Sequence, residues 1–87
     1  MNESQKPEVR VGDRVRVKPG VTDLVSSELV LAGFTGVVAE TDGDMRRIDW
    51  DRDTMAAMPE NYRQRWKEDA MPTDHLWLPA DDLEPIA

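Results

Sequence analysis

Apolar and charged side chains alternate one by one in two separate stretches of this chain, and that period is its strongest constraint on folding. In "RVRVK", residues 14–18, Val15 and Val17 alternate with Arg14, Arg16 and Lys18. In "IDWD", residues 48–51, Ile48 and Trp50 alternate with Asp49 and Asp51. A period of two is that of a β-strand, whose successive side chains point to opposite faces. Each stretch therefore predicts a half-buried strand with one dry and one wet face. At 87 residues the chain forms one small domain that buries only about two-thirds of its unfolded surface, so the dry faces must share a single core.

Turn signals set the organisation around these strands. Gly12-Asp13 precedes the first and Pro19-Gly20 closes it. Val37 to Glu40 and Met45 to Trp50 flank Asp42-Gly43, a pair suited to a type I′ hairpin turn with positive φ at both central positions. Gly36, inside a strand pattern, implies a bulge or sharp bend. The pattern leaves open whether Val37 or Val38 faces inward, because a one-residue slip exchanges them. Residues 21–33, "VTDLVSSELVLAG", read as a long loop with a turn of helix. Beyond Asp53-Thr54 the period changes. Pro59 and Glu60 suit a first helical turn, and Met58, Tyr62 and Trp66 recur every four residues as one stripe of a helix ending before Pro72. "HLWLPADDLEPI" then predicts a strand through Leu76 and Leu78, a tight turn at residues 79–82, and a last extended piece holding Leu83 and Ile86. Residues 1–9 read as a flexible tail and residues 10–87 as a single domain. The fold class is mostly β, with one helix inserted before the last strands.

Composition narrows the function. The chain has no cysteine, which removes disulfides, thiolate nucleophiles and cysteine-held metals. The formal charge is −7, and all of it lies in residues 40–87, with thirteen acids and six bases, while residues 1–39 carry five of each. A phosphate-binding surface needs clustered Lys and Arg, so nucleic acid is disfavoured as a partner and a basic surface or a cation is favoured. No segment resembles a signal peptide or a membrane span, and a cytoplasmic protein without a membrane partner is expected. His75 is the sole histidine, with no nucleophile motif to serve. A domain this small has little room for a substrate pocket, so a non-enzyme is expected.

"VGDRVRVKPG", "GFTGVV" at residues 33–38 and "WLPADDLEP" at residues 77–85 resemble the opening, middle and closing strands of a Src-homology-3-like small barrel. The first of these is similar to the KOW-type version of that barrel. Ile48, Trp50, Asp51, Thr54, Met58, Pro59, Leu78 and Glu84 give a narrower likeness, to small acidic calcium-binding proteins of the cyanobacterial type. The first resemblance implies a closed β scaffold; the second implies calcium as a ligand.

Two sites follow as expectations. Tyr62, Trp66 and Trp77 are candidates for a groove that receives a basic protein or peptide, set against the plainer reading that the helix stripe caps the core. Glu40, Asp42, Asp44, Asp49, Asp51, Asp81 and Asp82 are candidate calcium ligands, set against turn chemistry at Asp42, helix-turn capping at Asp81 and Asp82, and a solvated strand face at Asp49 and Asp51. Calcium needs six to eight converging oxygens, which one strand cannot supply. The favoured function is a non-catalytic acidic module that recruits a basic protein. A calcium-binding regulator is the alternative, and a DNA-mimicking inhibitor a weaker one.

Overall fold

A computed structural model describes residues 9–23 and 27–86. Five antiparallel strands form one sheet in the order β4-β3-β2-β1-β5: β1 is Arg14–Val17, β2 Thr35–Asp42, β3 Met45–Trp50, β4 His75–Pro79 and β5 Leu83–Pro85. Two helices, α1 (Arg52–Ala57) and α2 (Glu60–Glu68), lie between β3 and β4. A single 3₁₀ turn, Ala80–Asp82, joins β4 to β5. The fold is mostly β, as the alternation predicts, and β4 and β5 are the two edges of the sheet.

The period-two strands bury the sides the sequence assigns to them. Val15, Val17, Ile48, Trp50, Leu76 and Leu78 all enter the core. Val38 is buried and Val37 is 38% exposed, which settles the register that the pattern leaves open. Val9 is 2% exposed, and its carbonyl accepts a hydrogen bond from Arg46 Nε at 2.8 Å. It belongs to the core and not to the tail; the rest of the expected tail, residues 1–8, lies outside the described residues.

Three local expectations change. Asp42 pairs with Met45, so the two-residue hairpin loop is Gly43-Asp44. Of that loop only Gly43 has positive φ, at 59°, the type II′ pattern with glycine at the first central position. The bulge falls between Val38 and Glu40, not at Gly36. Gly36 instead admits a close approach of β3: a Cβ on it would stand 2.3 Å from the Asp49 carbonyl oxygen. Among the described part of residues 21–33 there is no helix. Thr22 bridges Val30, Leu31 N–H donates to the Val21 carbonyl and Asp23 N–H to the Leu29 carbonyl, so this loop is a short antiparallel ribbon. Leu24 and Val25, two of the residues behind the expected turn of helix, lie outside the described residues.

One helix was expected and two form. β3 stops at Trp50 because Asp51 turns its carboxylate onto the Thr54 N–H at 2.9 Å and caps α1, an N-cap that satisfies an otherwise unpaired donor. Met58 is extended, the conformation a following proline favours, and Pro59 then takes the N-cap position of α2 without a side-chain cap. The Arg63 guanidinium donates to the Met55 carbonyl and ties the two helices together. α2 ends in a Schellman motif: Ala70 adopts a left-handed φ of 57°, Ala70 N–H donates to the Lys67 carbonyl and Met71 N–H to the Trp66 carbonyl. This hook turns Met71 back onto the core.

Gly36→Ala tests the close approach of β2 and β3. The new methyl meets backbone, which cannot rotate away, so a loss of about 1–3 kcal/mol is expected in urea unfolding; unchanged stability would contradict the strand spacing.

Candidate functional site

α2 presents Tyr62 and Trp66 one turn apart, and both rings face the ribbon in which residues 21–23 pair with residues 29–31. The Tyr62 hydroxyl brackets Val30, donating to its carbonyl and accepting from its N–H, each at 3.0 Å. Trp66 is 1% exposed, and its Nε1–H donates to Asp23 Oδ2 at 3.0 Å. The two rings meet edge to face with centroids 6.0 Å apart, and Phe34 extends the cluster from Tyr62 to Trp50. Asp23 is the one polar residue buried in the core of the described chain. A buried carboxyl needs a hydrogen-bond donor, and the indole supplies it. Tyr62 and Trp66 thus hold the ribbon on the core, as the plainer reading of the helix stripe has it.

Trp77 is placed differently. It stands on β4 opposite Arg47 and lines a pocket of about 470 Å³ with Asp23, Met45, Met71, Pro72, His75 and Leu76. The structure therefore does not bring Tyr62, Trp66 and Trp77 into one groove: two rings are spent on packing, and the third borders an apolar pocket. That pocket has the size of a small-ligand or side-chain site, more room than was expected of so short a chain. Its walls come from the ends of β3 and β4, the hook after α2, and the ribbon. Its polar groups are the Asp23 carboxyl and His75, whose Nδ1 lies 2.8 Å from Asp74 Oδ1.

The seven candidate calcium ligands are dispersed. Asp42 and Asp44 are exposed at the hairpin end. Glu40 and Asp49 share one cation, with Arg47 Nη1 2.7 Å from Glu40 Oε1 and Arg47 Nε 3.3 Å from Asp49 Oδ1. Asp81 and Asp82 sit within the 3₁₀ turn, whose N-cap is Pro79, so they do not cap it. Asp51 has left the strand to cap α1, where it also accepts from Thr35 Oγ1 at 2.5 Å and stands 3.5 Å from Arg14. Among the described residues no three His, Asp or Glu side chains are grouped to hold a metal ion.

Asp51 accepts from several donors at once. Burial pushes its pKa up, but hydrogen bonds from Thr35, from the Thr54 backbone and side chain, and from Arg14 outweigh this and hold it below its ordinary 3.8. Thr54 Oγ1 also accepts from Thr35 N–H at 3.0 Å, so this small network ties the start of α1 to β2.

The chain matches no protein-family model, no curated protein and no solved structure. Asp23, Met45, Met71 and Pro72 enter the site without having been singled out from the sequence. The one available signal was Asp23 itself, a lone acid amid the apolar residues of "VTDLV", which had to be solvated or paired.

The Asp51 network makes stability pH-dependent in a defined direction. A carboxyl whose pKa is lower in the folded state stabilises fully above its unfolded value, and loses that contribution as pH falls through the folded value. Urea midpoints measured downward from about pH 5 should fall, and the fall should be shallower in Asp51→Asn. Equal slopes in the two proteins would show that Asp51 carries no such linkage.

Proposed function

We propose that this protein is a non-catalytic binding module that recruits a basic protein partner in the cytoplasm, taking an apolar side chain into the pocket beside β4 while surrounding carboxylates meet flanking Lys or Arg. The observation that carries this reading is the composition of the pocket and its rim. Its lining is apolar apart from Asp23 and His75, and exposed aspartates stand at both ends of β4. Asp74 precedes the strand, and Asp44 accepts from Ala80 N–H just beyond it. The bases on the neighbouring strand are engaged. The Arg46 guanidinium donates to the carbonyls of Val9, Gly43 and Met45, and Arg47 pairs with Glu40 and Asp49. The Src-homology-3-like likeness belongs to this proposal and is supported by the helical-turn link between β4 and β5.

The test is an NMR titration with short peptides that place one apolar residue between lysines, read at the Met45 and Met71 methyls and the Trp77 indole. These signals should shift saturably. Affinity should fall steeply as ionic strength rises from about 0.01 M to about 1 M and the screening length shrinks from ~30 Å to ~3 Å. Binding indifferent to salt would overturn the proposal. Saturable shifts at Asp42, Asp44 and their neighbours on adding calcium alone would favour the calcium regulator, and release of a bound partner by duplex DNA would favour DNA mimicry.

A further inference from the structure

The ladder between β3 and β4 has a definite phase. Trp50 N–H donates to the Asp74 carbonyl at 3.0 Å, and Ala80 N–H to the Asp44 carbonyl at 2.8 Å. Between them the register pairs Ile48 with Leu76 and Arg46 with Leu78. Hydrogen-bonded and non-hydrogen-bonded pairs alternate along an antiparallel ladder. Leu76 and Leu78 therefore direct their N–H and C=O groups to β3, and His75, Trp77 and Pro79 direct theirs outward. Since β4 is the last strand of the sheet, among the described residues the outward groups face no strand and the His75 and Trp77 N–H groups make no hydrogen bond.

The other edge is blunted. Lys18 N–H donates to the Asp82 carbonyl and Ile86 N–H to the Arg14 carbonyl, so on β5 the outward positions are Leu83 and Pro85. The Leu83 N–H is taken by the Ala80 carbonyl inside the 3₁₀ turn, and proline has no N–H. Exposed edges are normally managed by such devices. Here one edge offers no outward donor, while the other offers two beside an apolar pocket.

We infer that the β4 edge accepts an added strand from an extended, basic segment of a partner protein, one side chain of which enters the pocket between Met71 and Trp77. Strand addition draws affinity from main-chain hydrogen bonds and selectivity from a neighbouring pocket, and β4 presents both together. The occupant follows from charge. A second copy, itself carrying −7, would bring its own Asp44 and Asp74 to an edge already flanked by that pair, whereas a lysine-bearing strand meets both. The inference rests on the basic-partner reading above and specifies its mode.

The probe is an end-blocked Lys-Val-Lys-Val-Lys-Val-Lys peptide, compared with the same peptide N-methylated at every residue and with a Glu-for-Lys version. Amide hydrogen exchange and NMR shifts are recorded on the whole chain. The Lys-Val peptide should slow exchange at the His75 and Trp77 amides and bind about tenfold or more tighter than its N-methylated form, the equivalent of one or two main-chain hydrogen bonds. His75→Pro, which removes an outward donor and leaves the β3 ladder intact, should bind about tenfold more weakly than His75→Ala. If salt-sensitive binding occurs but both amides stay fast and N-methylation is without effect, strand addition is overturned and the basic-partner reading survives. If the Glu-for-Lys peptide binds equally well, both are overturned. If the Lys-Val peptide does not bind, or the two amides are protected only at high protein concentration, the basic strand is not the occupant and the inference fails.

Discussion

The hydrogen-bond phase of the antiparallel ladder is the constraint on which the rest of this molecule depends. Once Ile48 and Trp50 face inward, the register fixes Leu76 and Leu78 as their neighbours in the core. The same residues on β4 turn their backbone groups toward β3, because side-chain face and hydrogen-bonding direction alternate together along a strand. His75 and Trp77 are thereby committed twice over, their side chains away from the core and their N–H groups away from the sheet. Core packing and the character of the open edge are one decision made by one register. A slip of one residue would bury Asp49 and Arg47 and expose Ile48, which the core cannot tolerate.

The second tie is between α2 and the ribbon. A domain of this size has few large groups to bury, and Trp66 is the largest that is fully enclosed. Its indole N–H and the Asp23 carboxyl satisfy each other at 3.0 Å, 43 residues apart in sequence, and neither group would be stable inside the core alone. Tyr62 adds a second anchor through the Val30 backbone. The two rings hold the ribbon where its Asp23 end meets the hook after α2, and the space left against β4 is the pocket. Trp50 lacks such a partner: its Nε1 is buried without a hydrogen bond among the described residues, its ring held edge to face by Phe34 at 5.3 Å.

Much of this was legible where the information is local. Alternation located β1, β3 and β4, and the four-residue stripe identified the core face of α2. Local signals that admit two readings went astray. Gly43 serves equally at either central position of a two-residue loop, and a strand glycine signals a bulge or a close approach, of which Gly36 is the latter. α1 is six residues long and follows a strand directly; its only announcement was Asp51, whose alternation with Trp50 assigned it to β3 when its carboxylate in fact caps the helix. The Asp23–Trp66 pair and the pocket come from segments brought together only by the complete fold, and no spacing along the chain encodes them. The acidic bias was visible in composition, but whether its carboxylates converge was not. In the structure Glu40 and Asp49 converge on Arg47, and Asp51 turns to Thr35 and Thr54.

The contrast between neighbouring amides on β4 tests the account most directly. In the free protein, at low concentration, Leu76 and Leu78 N–H groups should exchange slowly with solvent, and His75 and Trp77 N–H groups much faster, because only the first pair is held in the ladder. Equal protection at all four positions would mean that the edge is already covered, and would contradict the open strand on which the proposed recognition depends.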